Sequence, residues 1–154
     1  MRLRPTHPGD EPFLRALYRE IVAPTFPAGA FPEPLRGALI DGQYAARRAG
    51  HTGAEQLIVE AGTGGAAVGH LVLREAPAEL RVVELAIAEA HRGRGVGTAV
   101  LAHVIGSASA QGRSTLLSVA RENAGALALY ARLGFEPEPG GEDDPVKVRL
   151  RRRP

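Results

Sequence analysis

The stretch His91–Leu101, HRGRGVGTAVL, sets Gly93, Gly95 and Gly97 at alternate positions with Arg92 and Arg94 between them. Before it comes LRVVELAIA, Leu80 to Ala88, a short β-branched run that reads as a strand. After it Val96, Val100, Leu101, Val104 and Ile105 recur at helical spacing up to about Gln111, where Gly112 can end the helix. Strand, glycines, helix is a layout that holds anions. Glycines let the backbone approach without a Cβ, and the free N–H groups of the first helical turn carry partial positive charge. A Walker A loop is excluded, because it needs Gly-Lys-Ser/Thr and Lys147 is the sole lysine. The dinucleotide spacing G-x-G-x-x-G fails at Val100, and SVAREN puts Glu122 in the wrong place for the ribose contact. A glycine-rich turn with no ligand is the plain alternative.

Upstream of this stretch, Arg2 to Pro5 start a strand, and a helix is expected from Asp10, as N-cap, to Val22. APTFPAGAFPEP is a proline-rich connection, Pro34 to Arg48 has helical composition, and QLIVE and AVGHLVL flank a tight GTGG turn. Downstream come the strand STLLSVA, a helix from about Asn123 to Leu133 ended by Gly134, a turn after FEPEP, and a last strand in PVKVRLRRR. There Val146, Val148 and Leu150 alternate with Lys147, Arg149 and Arg151. Strands meander first and alternate with helices later. The expectation is one α/β domain over residues 1–154, with a central mixed, twisted sheet and helices on both faces.

Composition narrows the chemistry. The 154 residues carry a net charge of +2 and no cysteine, which excludes disulfides, thiolate–metal sites and a cysteine nucleophile, and suits a reducing cytoplasm. The opening MRLRPTHPGDEPF has no apolar h-region and no segment approaches the ~18 apolar residues of a membrane span, so a soluble, unprocessed protein is expected. Arg151 to Arg153 form a basic run, but no aromatic residue nearby can stack on bases. The run reads as a solvated strand end, and nucleic acid is not expected as a partner.

Two motifs, in order, resemble the GCN5-related N-acetyltransferase (GNAT) family. ELAIAEAHRGRGVGTAVL resembles that family's strand, loop and helix for the coenzyme A pyrophosphate, with the signature at Arg92-x-x-Gly95-x-Gly97. RENAGALALYARLGF resembles its following helix at Asn123, Ala126, Leu129, Tyr130, Gly134 and Phe135. The opening LRPTHPGDEPFLRALY is also similar to the first strand and helix of many bacterial members, whereas residues 24 to 54 match least.

The resemblance implies acetyl-CoA as co-substrate, no metal, and splayed strands at the coenzyme site. The strand Val82–Ala88 would carry a bulge, and main-chain groups of Leu85, Ala86 and Ile87 would pair with the pantetheine arm. The pyrophosphate would sit on the amides of Arg92, Gly93, Arg94, Gly95, Val96, Gly97 and Thr98. Asn123 would contact the coenzyme and Tyr130 would protonate the leaving thiolate; as residues alone they read as an N-cap and a packed aromatic. Some members place a glutamate base where this chain has Ser118, which leaves Glu84 as the candidate base, or a strand carboxylate paired with arginine. His70 and His103 read as structural or exposed, and His91 as packing. The acceptor is a primary amine, on a small molecule or a peptide, and a homodimer is compatible with this reading. The rival from another class is an acyl-CoA-binding module without catalysis.

Overall fold

Seven strands and four α-helices follow one another in the computed structural model, which describes residues 1–62, 64–139 and 144–154. They are β1 (Arg2–Pro5), α1 (Glu11–Val22), α2 (Glu33–Gly50), β2 (Glu55–Ala61), β3 (Ala66–Ala76), β4 (Glu79–Ile87), α3 (Val96–Ala110), β5 (Ser114–Ala120), α4 (Ala124–Arg132), β6 (Glu136–Pro137) and β7 (Lys147–Arg152). The strands form one sheet in the order β1-β2-β3-β4-β5-β7-β6. It is mixed: β1–β2, β5–β7 and β6–β7 are antiparallel, and β4–β5 is parallel. This is the helix-flanked mixed sheet expected from the order of elements. The expected turns at GTGG and after FEPEP fall partly on residue 63 and residues 140–143, outside the described residues. Two compact units divide the chain, one of residues 1–72 and 85–96, the other of residues 73–84 and 97–154.

In the first unit α1 buries Leu14, Leu17, Tyr18 and Val22, a single stripe at helical spacing. Leu14 and Tyr18 pack with Tyr44 of α2 and Ile58 of β2 in one apolar cluster. Asp10 occupies the N-cap position of α1 as expected, but its side chain makes no capping bond to that helix and accepts the His7 N–H at 2.9 Å. A short 3₁₀ turn, Pro8–Asp10, precedes the helix, and His7 caps that turn, its ring accepting from the Gly9 N–H. The Asp10 carboxylate is instead buried on Arg4, with both oxygens accepting from the guanidinium at 2.7 and 2.8 Å. Arg4 also donates to Glu60 at 2.7 Å, so one cation ties the start of the chain to β2. A bidentate pair outcompetes a cap because both oxygens are satisfied by a full charge.

In the second unit α3 buries Val100, Leu101, Val104, Ile105 and Ala108. The parallel ladder runs from Glu79↔Ser114 to Val82↔Leu117 and ends there, although β4 continues to Ile87 and β5 to Ala120. On its other edge β5 stays paired with β7 as far as Ala120↔Lys147. The parting of β4 from β5 is the expected splay. Between the two-residue turn at Pro77–Ala78 and the bond from the Ala88 N–H to the Val68 carbonyl, the chain runs through residues 79–88 on the β4 side, one more than the residues 68–76 on the β3 side. One unmatched residue is the count of a bulged strand.

The basic tail is built into this unit. Arg151 donates to Glu79 and Glu138, while Arg152 donates to the Leu133 carbonyl and to Ser109 Oγ. Leu150 is buried and Val148 half-buried as the alternation predicts, but Val146 lies before β7 and is exposed.

Candidate functional site

The glycine stretch begins where β4 ends. After Ile87 the chain makes a 3₁₀ turn, Glu89–His91, closed by the His91 N–H on the Ala88 carbonyl at 2.8 Å. The Glu89 N–H donates to Glu20 of α1 at 2.9 Å, so a carboxylate from far upstream holds the turn. His91 is half-buried here, in keeping with packing. Arg92, Gly93, Arg94 and Gly95 are all exposed. Gly93 and Gly95 have φ of +69° and +77°, the left-handed region that favours glycine. No atom lies within 4 Å of a Cβ built on either one, so the backbone conformation and not crowding demands glycine at both positions. Gly97 is different, lying in the first turn of α3. The N–H groups of Val96, Gly97 and Thr98 are therefore first-turn donors without intrahelical acceptors.

Arg92 departs from the simplest expectation. Its Nε donates to the Ile87 carbonyl at 2.8 Å, closing the loop back on the end of β4. Part of its charge thus lies on a carbonyl that the coenzyme arm was expected to use. Arg94 is exposed on the loop.

Gly69 of β3, which periodicity does not single out, faces this same end of β4. A Cβ on it would stand 2.6 Å from the Ala86 carbonyl oxygen and 2.7 Å from Ile87 Cδ1. An isolated glycine inside a strand pattern is a legible sign of close backbone approach. Nothing in the sequence marks Glu20, an exposed acidic residue on a helix.

The second unit holds Glu84, Ser118, Asn123 and Tyr130. Glu84 is half-buried on β4, two residues past the last β4–β5 pair, and Ser118 is exposed on β5 opposite Arg149 of β7. Asn123 is the N-cap of α4: its Oδ1 accepts the Ala126 N–H at 3.0 Å, which leaves the side-chain NH₂ outside that bond. The cap reading of Asn123 therefore holds, and its donor half faces away from that duty. Tyr130 lies seven residues on, two turns later on the same helical face. Its half-buried ring meets Phe135 edge-on, with centroids 5.8 Å apart, and burial pushes the phenol pKa up from its ordinary value. Leu127, on that face between them, lines a cavity of about 400 Å³ with Pro137, Val148, Leu150 and the charged Arg121, Glu138 and Arg149. His103 is exposed on α3, and His70 is fully buried on β3. Among the described residues no group of three or more His, Asp or Glu side chains could hold a metal, and no helix is long and apolar enough to cross a membrane.

A splayed, bulged strand, a left-handed glycine loop and a helix N-terminus, followed by a strand and the Asn–Tyr helix, are features of acyl-CoA-dependent transferases. A model of the Acetyltransferase (GNAT) family matches residues 15–135, and the chain belongs to that family. Solved structures give the same fold. The PaiA N-acetyltransferase of Thermoplasma acidophilum, in complex with coenzyme A, is 18% identical with a TM-score of 0.71, covering 99% of this chain and 98% of its own. A Vibrio cholerae spermidine N-acetyltransferase chimera is 20% identical (TM-score 0.68; 99% and 96% covered). The ribosomal-protein-S18-alanine N-acetyltransferase of Escherichia coli is 19% identical (TM-score 0.67; 99% and 92%). Among curated protein sequences, none matches.

Proposed function

We propose that this protein transfers an acetyl, or another short acyl, group from acetyl-CoA to a primary amine by direct attack in a ternary complex. The observation that carries the reading is the loop Arg92–Gly95, with two left-handed glycines, leading from β4 straight into the first turn of α3 in a GNAT-family chain. The loop amides and the first-turn N–H groups of Val96, Gly97 and Thr98 suit a pyrophosphate, and main-chain groups of Leu85, Ala86 and Ile87 suit the pantetheine arm. A strand N–H also stabilises negative charge on the thioester oxygen as it develops. Glu84 takes the proton from the ammonium group, directly or through a water, and the free amine attacks the thioester carbon. The C–S bond breaks as Tyr130 protonates the departing thiolate, the nitrogen passes its surplus proton back to the Tyr130 phenolate, Glu84 releases its proton to water, and the products are the amide and free CoA. Asn123 presents its side-chain NH₂ to the coenzyme. The chain's lack of cysteine agrees with direct transfer and no thiol acyl-enzyme.

The acceptor does not come with the fold, since the similar structures carry names as different as spermidine and a ribosomal-protein alanine. A small amine is preferred, because no strongly charged acceptor groove is evident in the sequence. The deciding experiment incubates the purified protein with acetyl-CoA and a panel of amines, and measures free CoA. Release with at least one amine, well above hydrolysis without any, is the expected result. Tight acetyl-CoA binding with no release from any amine would instead favour the non-catalytic acyl-CoA-binding module. With a working amine, Glu84→Gln should abolish the acid limb of the kcat/KM profile, and an unchanged limb would remove Glu84 from the base role.

A further inference from the structure

Gly69 stands in the middle of β3, where a glycine weakens a strand unless something needs the space. A Cβ there would lie 2.6 Å from the Ala86 carbonyl oxygen, 2.7 Å from Ile87 Cδ1 and 3.4 Å from Val59 Cβ. β2 and β4 thus wall the position from both sides, and the nearest wall is a backbone oxygen, which cannot swing away as a side-chain end can. In a regular ladder, carbonyls lie in the sheet plane, roughly at right angles to the Cβ direction of the facing strand. An oxygen only 2.6 Å from the Cβ position is closer than such a ladder allows, which means that the Ala86 carbonyl occupies space on the face where Gly69 has no side chain. Two residues further on, the Ala88 N–H donates to the Val68 carbonyl at 2.9 Å, so this end of β4 stays tied to β3. The peptide unit is planar and trans, so the Ala86 C=O and the Ile87 N–H point in opposite directions, and whatever fixes one fixes the other.

We propose that Gly69 is a positioning residue for the coenzyme strand: its missing Cβ lets the Ala86–Ile87 peptide turn, and so aims the Ile87 N–H that β4 offers to the acyl-pantetheine arm. This rests on the acetyl-CoA reading above. A methyl group at residue 69 pushes the Ala86 oxygen out of that space and rotates the Ile87 N–H with it. The residue touches no substrate; it acts through the neighbouring strand.

The test compares wild type with Gly69→Ala by ¹⁵N–¹H spectra, acetyl-CoA titration and turnover. The Ile87 amide should shift more than the amides of β1, acetyl-CoA should bind at least ~10-fold more weakly, and kcat/KM should fall by on the order of 10²-fold, the usual result of misplacing a reacting group by about 1 Å. Adding Ile87→Val removes the Cδ1 contact and keeps the carbonyl contact, so it should recover part of the lost Tm and none of the lost affinity. If Gly69→Ala does not fold, the double variant carries the same measurements. If neither folds, the native protein decides, and its Ile87 amide must move on saturation with acetyl-CoA. Wild-type affinity and turnover in folded Gly69→Ala overturn the proposal, as does full recovery of affinity by Ile87→Val or an unmoved native Ile87 amide. Failure of the wild-type protein to bind acetyl-CoA strikes the functional reading instead, and the ligand-free Ile87 shift in Gly69→Ala then still reports whether residue 69 sets this peptide.

Discussion

Tyr130 shows how one side chain's surroundings bear on its chemistry. Burial raises its pKa, so the phenol stays protonated throughout the working range and is always loaded as a donor. A departing thiolate has a pKa of about 8.5, so the transfer is uphill and depends on proton donation while the C–S bond is still breaking. Tyr130→Phe keeps the edge-on contact with Phe135 and deletes only the hydroxyl. The expected outcome is a kcat lower by roughly 10² to 10⁴ with little change in acetyl-CoA affinity, measured by steady-state kinetics beside a binding titration. Weak binding with normal kcat at saturation would make Tyr130 a packing residue. Asn123 was legible both as a cap and as a contact, and the structure shows that the cap consumes only its oxygen.

At the scale of elements, the loop between β4 and α3 works through backbone conformation. Gly93 and Gly95 supply the left-handed backbone that the loop requires, which no β-branched residue tolerates. Gly95→Val should therefore abolish the rise in Tm that acetyl-CoA gives a protein it binds only when folded. Gly106→Ala is the matched control. Gly106 lies exposed in the middle of α3, with nothing within 4 Å of an added Cβ, so the change should stabilise the fold by about 0.5–1 kcal/mol and leave the coenzyme shift intact. A Gly95→Val protein that folds and still shows the full coenzyme shift would remove the pyrophosphate from this loop. The torsion angle by itself already requires glycine at these two positions, and the open space around both leaves their backbone accessible.

At the scale of the whole chain, a buried histidine ties stability to pH below neutrality. His70 is fully buried, with Nδ1 in a 2.8 Å hydrogen bond to Tyr18 Oη and Nε2 without a hydrogen-bond partner. His51 packs 5.8 Å away, and Arg47 lies over the Tyr18 ring. Desolvation first, then His51 and Arg48, lower its pKa to about 4, and Asp10 opposes this. The unfolded chain therefore binds a proton near pH 6.5 that the folded chain refuses until about pH 4. Stability from this group is complete above about 6.5 and is lost as pH falls through that window, at up to about 1.4 kcal/mol per pH unit. Denaturant midpoints between pH 7 and 4 should fall in wild type and flatten in His70→Gln; equal slopes would refute the assignment. The sequence by itself determined the order of strands and helices, the glycine loop and the Asn–Tyr helix, because these follow from periodicity and torsional preference within a dozen residues. Only the tertiary structure decided that Asp10 serves Arg4 in place of α1, that β4 parts from β5 after Val82, that Arg92 turns back to Ile87, and that Gly69 admits the Ala86 carbonyl. Two of these join residues distant in the chain, and Arg4 and Arg92 choose among acceptors that only the folded backbone places within reach. Which donor meets which acceptor is a competition settled by packing and desolvation, and local pattern carries no record of its result.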